Sequence, residues 1–442
     1  MRHPHPSQVG VAAFALAVFA VTALLLLPAS AEPGEQTTFR QALFTATSAV
    51  CVTGLAVVDT PTHWSTFGEL VVLGGIQAGG FGIMTLASLL GLLASRRLGL
   101  RSRLLTRWET KAEGLGDVRR VLRGVARTTF VVEGSVAIAL WLRLWLGHDL
   151  DPGPALYRGV FHAVSAFNNA GFSLFSDNLM GFTTDPWVCL PLAAAVILGG
   201  LGFPVLFELR RELRRPRSWS LHTKTTLFTY GLLLVGGTAV ITAFEWHNPG
   251  TLGPLSVPGK LLAGFFQGGV QPRTAGFNSL DVGQMQPTSL LVTDVLMFIG
   301  GASASTAGGI KVTTFMVLFF AILAEARGEE HVDAFHREVR SPVLRQALTV
   351  ALLGVALVVT GTLALLAISR LPLEQVLFEV ISAFATVGLS TGITADLPAA
   401  GQYLLVMLMF LGRTGPVTLA TALVLRERRR QYRRPEERVL VG

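Results

Sequence analysis

The 442-residue chain is 51% hydrophobic and only 14% charged, with a mean hydropathy of +0.54. A water-soluble domain carries about 25% charged residues, so a soluble globular protein is excluded and an integral membrane protein of many spans is expected. The net charge of +8 would suit a nucleic-acid binder, but most of the Lys and Arg fall in four patches: Arg96 to Arg127, Arg210 to Lys224, Arg327 to Arg345 and Arg426 to Arg438. Patches placed between apolar spans follow the positive-inside rule. They are expected to be cytoplasmic and to touch anionic membrane lipid; no nucleic acid is expected as a partner. The two cysteines, Cys51 and Cys189, give neither a disulfide framework nor a zinc spacing, and Cys51 reads as a small apolar filler.

In chain order, apolar runs fall at about 9–28 and 69–95, 127–147 and 186–208, 224–244 and 289–324, and 345–368 and 402–425. With the basic patches inside, these runs predict eight spans, both termini cytoplasmic, in units 1–97, 98–217, 218–328 and 329–442. The first run also resembles a signal peptide ending at Pro28 to Glu32, but the repeat described next needs it as the first helix of its unit.

Between the two spans of every unit lies a segment in which a Phe precedes a Gly by ten positions: Phe44 to Gly54 (FTATSAVCVTG), Phe161 to Gly171 (FHAVSAFNNAG), Phe266 to Gly276 (FQGGVQPRTAG) and Phe378 to Gly388 (FEVISAFATVG). Each is apolar but too short to span, which suggests a re-entrant half-helix with a return loop. Such backbone is tolerated at membrane depth only inside protein or beside water. The third segment, with paired Gly and a Pro, is a poor helix former. The second spans share Gly-rich centres, LGGIQAGGFGI (73–83), LGGLGFPVL (198–206), IGGASASTAGGIK (299–311) and LGRTGPV (411–417), which permit close helix approach or a break. The third holds a run long enough to interrupt helix: Gly300, Gly301, Ala302, Ser303, Ala304, Ser305, Thr306, Ala307, Gly308 and Gly309.

Four copies of one element can surround one axis. A half-helix entering from outside aims its C-terminal, partly negative end inward, and the carbonyls of the return loop can replace a cation's hydration shell. The candidate filter loops are Val52-Thr53-Gly54, Asn169-Ala170-Gly171, Thr274-Ala275-Gly276 and Thr386-Val387-Gly388. Their side chains differ while Gly recurs, as expected if the main chain binds; no carboxylate ring of a divalent-cation site is present at this level. The competing reading of any one such Gly is a helix C-cap. Asp59, Asp177, Asp281 and Asp396 follow the loops and either draw cations to an outer mouth or cap turns; Arg273 would make that mouth less acidic. Lys311 and Arg413 lie deep in predicted spans, where a cation faces protein or water. Arg413 could bind the freed carbonyls of 300–309, act as an electrostatic barrier, or only tie helices together. Arg143 is read as snorkelling; Glu133 and Asp294 have no evident partner.

The stretches TATSAVCVTGLAVVDT (45–60), SAFNNAGFS (165–173), QPRTAGFNSLD (271–281), GGASASTAGGIKVTTF (300–315) and SAFATVGLSTG (382–392) resemble the bacterial Trk/Ktr/HKT potassium-uptake family, and most closely the membrane subunits of its Ktr branch. The chain starts directly with the first unit, without the two extra N-terminal helices of the Trk branch. The resemblance implies an all-α polytopic membrane protein with four repeats of outer helix, pore helix and inner helix. These surround a pseudo-fourfold axis like a potassium channel in one chain, giving eight transmembrane helices plus four re-entrant half-helices. It implies K+ as the transported ion, Na+ as a stimulator, the 300–309 loop with Lys311 and Arg413 as a gate, and a homodimer in a bacterial plasma membrane. It also implies a cytosolic ring of nucleotide-binding, KtrA/TrkA-like regulatory subunits. No GxGxxG follows a strand pattern here, so a separate subunit would supply the nucleotide site and no organic cofactor or enzymatic activity is expected of this chain. Gly54 stands where related plant transporters that prefer sodium have Ser. The alternatives are a sodium-permeable transporter of the same fold, an inverted-repeat secondary transporter, which would show two repeats, and a non-transporting scaffold or receptor, which leaves the four loops unexplained.

Overall fold

A computed structural model describes the backbone of residues 6–102 and 115–425, with side chains over 10–85 and 122–415. The patch Arg426 to Arg438, part of the first patch and both chain ends lie outside the described residues. Helix occupies each of the eight places marked by an apolar run: Pro6–Leu25, Thr66–Ser102, Leu115–Gly147, Pro186–Leu201 followed by Phe203–Glu212, Leu221–Glu245, Pro287–Phe298 with Val312–Arg327, Ser341–Ser369 and Ala399–Leu425. By length and composition, four stretches among the described residues can cross a membrane: Thr66–Thr85, Leu122–Gly147, Leu221–Glu245 and Ser341–Ser369. A fifth is added if the pair bent by 100° at Gly202 counts as one span. The first long helix runs to Ser102, past the unit boundary read at residue 97.

The long helices differ in exposure. Only 28% of the apolar window is buried in Leu122–Gly147, Leu221–Glu245 and Ser341–Ser369, against 50% in Thr66–Thr85. The first three carry exposed Phe130, Leu146, Val235, Leu352 and Leu363. An apolar outer surface of that kind suits lipid and not water. Leu122–Gly147, Leu221–Glu245 and Ser341–Ser369 are therefore outer helices, whereas Thr66–Ser102, Pro186–Leu201 with buried Cys189, Leu192 and Val196, and Ala399–Leu425 with buried Leu405, Leu408 and Met409 are inner ones.

A short helix sits between them: Phe39–Val50, Pro152–Phe167 and Leu373–Ala385 in the first, second and fourth units. The first is started by a capping box in which Thr38 and Gln41 satisfy each other's backbone N–H. In the third unit the poor helix-forming sequence gives a composite: α-helix Val257–Ala263, π-helix Gly264–Val270 and a 3-10 turn Gln271–Arg273. Gly268 and Gly269 of the π-turn lie against Gly237, Ile241, Leu234 and Thr238 of the outer helix, leaving no room for side chains there.

The four repeated Phe are fully buried. Phe44, Cys51 and Leu55 of the first unit belong to the apolar cluster built mainly by the fourth unit. The first and last units thus pack together, and the chain closes into a circle.

Candidate functional site

At the centre of that circle the four Gly-ended loops form a ring. A Cβ built on Gly54 would strike the carbonyl oxygen of Ala170 and lie 3.2 Å from Cα of Gly171. One on Gly171 would lie 2.8 Å from the Ala275 oxygen and 2.9 Å from Cα of Gly276; one on Gly276 would strike the Val387 oxygen, 3.1 Å from Cα of Gly388. One on Gly388 would strike the Thr53 oxygen, 3.0 Å from Cα of Gly54. Each loop therefore abuts the next, and the fourth abuts the first.

The backbone repeats as well. Val52, Asn169, Thr274 and Thr386 take φ of 57°, 59°, 71° and 49°, and Gly54, Gly171, Gly276 and Gly388 take 99°, 69°, 74° and 93°. Positive φ costs residues with a side chain about 1–2 kcal/mol each, so four non-Gly residues in this state report a geometry imposed by the surroundings. Those surroundings are hydrogen bonds to the short helices. Thr53, Ala170 and Val387 donate their N–H to the carbonyls of Ser48, Ser165 and Ser382 at 2.7, 2.7 and 2.8 Å. The Ser48 and Ser382 hydroxyls accept from Gly54 and Gly388 at 3.0 and 3.1 Å, while Ser165 donates to the Phe172 carbonyl at 2.8 Å. The third unit substitutes Gln271, whose carbonyl accepts from Ala275 at 3.0 Å and whose Oε1 accepts from Phe277 at 2.9 Å.

The Gly-rich centres of the inner helices have a specific use that the sequence did not disclose. A Cβ on Gly79, Gly199 or Gly412 would strike the carbonyl oxygen of Val50, Phe167 or Phe384. Each of these is the residue four before its loop Gly. Glycine there lets the inner helix touch the C-terminal end of the short helix. Gly79→Ala should cost about 1–3 kcal/mol, because the obstacle is backbone and cannot rotate away. Gly74→Ala, one turn back on an open face with nothing within 4 Å, should be neutral or slightly stabilising. Thermal unfolding of the two variants in detergent checks the contrast.

The 300–309 run is non-helical, as expected, and lies directly against the ring. Its ends are joined by a parallel bridge between Ile299 and Ile310. Thr306 donates its hydroxyl to the Phe167 carbonyl at 3.2 Å and lies 3.3 Å from the Asn169 side-chain amide. The Gly308 N–H donates to Thr274 Oγ1 at 3.2 Å. The loop is also stitched to the kink of the second inner helix: Ala302 and Thr306 donate to the carbonyls of Gly200 and Gly199 at 2.9 and 3.3 Å. Those carbonyls are free because Gly202, with φ of 79°, ends the helix and Pro204 follows. Two cations, buried Arg413 and half-buried Lys311, hold the loop's own carbonyls. Arg413 donates to Thr306, and Lys311 Nζ donates to Ala307 at 2.7 Å and Gly308 at 3.4 Å.

Arg273 does not reach an outer mouth. Its side chain is fully buried and donates to the Leu296 carbonyl. Asp59, Asp177, Asp281 and Asp396 are all exposed. Three of them make local bonds: Asp59 accepts from Thr62 at 2.8 Å, Asp177 from Gly181 N–H at 2.9 Å and Asp281 from Gly283 N–H at 3.0 Å; Asp59 also accepts from the distant Ser176 hydroxyl at 2.8 Å. Arg143 pairs with Asp185 at 2.8 Å. Glu133 has partners that sequence could not supply, Gln77 of Thr66–Ser102 at 3.4 Å and Asn168, the C-cap of Pro152–Phe167, at 3.1 Å.

A helical multi-pass membrane protein with a closed ring of four backbone loops is the class this geometry defines. A family model described as cation transport protein, TrkH, matches residues 5–430. The chain is 41% identical over 439 residues to the Ktr system potassium uptake protein B of Bacillus subtilis (strain 168), covering 99% of this chain and 97% of that one. It is 34% identical to the potassium/sodium uptake protein NtpJ of Enterococcus hirae, covering 99% and 97%. The crystal structure of the potassium transporter TrkH from Vibrio parahaemolyticus has the same fold, with a TM-score of 0.70 at 17% identity over 97% of this chain and 86% of that one. This chain belongs to the TrkH family of cation transport proteins; it is a transporter and not an enzyme.

Proposed function

We propose that the chain is the potassium-translocating membrane subunit of a Trk/Ktr-type uptake system. The observation that carries this is the closed ring in which the carbonyls of Thr53, Ala170, Ala275 and Val387 each meet the glycine of an adjoining loop. Main-chain oxygens at fixed spacing offer a dehydrated monovalent cation its replacement shell, and the short-helix C-termini behind them add negative potential. In this reading Val52-Thr53-Gly54, Asn169-Ala170-Gly171, Thr274-Ala275-Gly276 and Thr386-Val387-Gly388 are the selectivity filter. The 300–309 loop, held by Lys311 and Arg413, is the gate beneath it. Eight spans and four re-entrant half-helices in units 1–97, 98–217, 218–328 and 329–442 complete the architecture, in a bacterial plasma membrane with cytoplasmic termini. The working assembly is a homodimer on a cytosolic ring of nucleotide-binding regulatory subunits.

Expression with a cognate regulatory subunit should restore growth at low potassium to a strain lacking potassium uptake and should give rubidium uptake. Well-expressed protein that does neither contradicts the assignment. A second reading, sodium carried or required alongside potassium, is favoured by the similarity to the potassium/sodium uptake protein. Rubidium uptake measured with and without external sodium separates stimulation by Na+ from permeation.

A further inference from the structure

The residue after the repeated Phe is polar and buried in every unit: Thr45, His162, Gln267 and Glu379. In three units it reaches from the short helix to the strand that leaves the ring. His162 Nδ1 donates to the Arg158 carbonyl at 2.7 Å, which leaves Nε2 as the acceptor, 2.9 Å from Ser173 Oγ and 3.4 Å from the Leu174 nitrogen. Gln267 Oε1 accepts from the Ser279 N–H and hydroxyl at 2.9 and 3.2 Å. Glu379 accepts from the Ser390 hydroxyl at 2.9 Å and from the Thr394 hydroxyl. The serine stands two or three positions after the loop Gly in each case. The first unit has the polar residue but no partner. Gly54 is followed by Leu55, Ala56 and Val57, and Thr45 Oγ1 makes no hydrogen bond.

We propose that the pairs His162–Ser173, Gln267–Ser279 and Glu379–Ser390/Thr394 are clamps that position three of the four ring loops and set the ring's discrimination between cations, and that the first loop is built without one. The proposal rests on the ring being the selectivity filter. Each clamped loop is tied at both ends, to the short helix by its N–H bonds and to the same helix again by the clamp just beyond its Gly. Removing one side leaves a buried polar group unpaired, so the strand shifts to relieve it and the carbonyls of the ring lose their common spacing. In the first unit, buried Leu55 and Val57 hold the strand by apolar packing instead.

The test uses the full chain with its regulatory subunit in cells lacking potassium uptake, measuring initial rates of rubidium and sodium uptake and the rubidium KM. Ser173→Ala, Gln267→Leu and Glu379→Leu should each raise the sodium-to-rubidium ratio about tenfold, the equivalent of one lost buried hydrogen bond; Ser279→Ala, which keeps the backbone N–H bond to Gln267 Oε1, should shift it less. Glu379→Gln keeps an acceptor and a donor for the two hydroxyls and should stay within about twofold of the unmodified ratio. Thr45→Val should leave both ratio and KM unchanged. If Glu379→Leu does not accumulate in the membrane, Ser173→Ala and Gln267→Leu carry the same reading. Lower maximal rates with unchanged ratio and KM in Ser173→Ala and Gln267→Leu overturn the clamps and leave the transport assignment standing. A ratio shift in Thr45→Val overturns the asymmetry. Absence of rubidium uptake by the unmodified chain overturns the transport assignment and the clamps with it.

Discussion

Replacing Gly54 by Ser should raise sodium uptake relative to rubidium by about tenfold, equivalent to about 1.4 kcal/mol of lost discrimination. Two effects act together. The φ of 99° at Gly54 lies outside what a side-chain-bearing residue adopts without strain, at a cost of order 1–3 kcal/mol. The new Cβ would also strike the Ala170 carbonyl oxygen and sit 3.3 Å from its carbon, so strain is relieved by moving the first loop away from the second. That movement takes the Thr53 carbonyl, which abuts Gly388 on the other side, out of register with its neighbours. Gly392→Ala is the matched control. Gly392 has nearly the same φ, 97°, but nothing within 4 Å, so its variant should lose some stability and keep the unmodified ratio. Paired sodium and rubidium uptake rates decide the matter, and an unchanged ratio in Gly54→Ser would sink the role of the first loop.

The sequence carried the ring because the ring is a repeat. Phe and Gly at a fixed offset, four times between apolar runs, required only counting. The break at 300–309 was equally readable, since a run of Gly, Ala, Ser and Thr cannot sustain a helix against its own alternatives. What was not readable depends on contacts between distant segments. Glycines at 79, 199 and 412 look like a general allowance for close packing until the Val50, Phe167 and Phe384 carbonyls are seen against them. Arg273 reads as a mouth residue because it sits near a loop, yet a carbonyl at the end of Pro287–Phe298 takes its guanidinium inward. Glu133 reads as unpartnered because Gln77 lies in another long helix and Asn168 caps the end of a short one. Approximate symmetry is a second obstacle. The third unit meets the same ring through a π-turn and Gln271 where the first and fourth use an α-helix and Ser48 or Ser382, and residue identity alone does not show that these are equivalent solutions.

Deleting residues 303–307 should raise rubidium flux in the absence of the regulatory subunit by at least about tenfold, the factor expected when a state populated at 0.1–10% becomes dominant. The deletion can be closed without dragging the helices. Gly300 and Gly309 already touch, with a Cβ on Gly300 3.1 Å from Cα of Gly309, and the Ile299–Ile310 bridge lies outside the cut. What disappears is the contact between Thr306 and the Phe167 carbonyl, the bond from Thr306 to Gly199, and the Thr306 and Ala307 carbonyls that hold Arg413 and Lys311. Both cations then lose those acceptors, a loss that is severe for the buried charge of Arg413, while half-buried Lys311 keeps only the Gly308 carbonyl; they are expected to turn toward water entering the space the loop vacates. If Arg413 is an electrostatic barrier in its own right, the deletion alone will raise flux little and Arg413→Gln combined with it will raise flux strongly. If Arg413 acts by holding the loop, Arg413→Gln alone will reproduce part of the deletion's effect and add nothing to it. Flux that stays low in the deletion, the double variant and Arg413→Gln, with each protein present in the membrane at normal level, contradicts a gate at this loop.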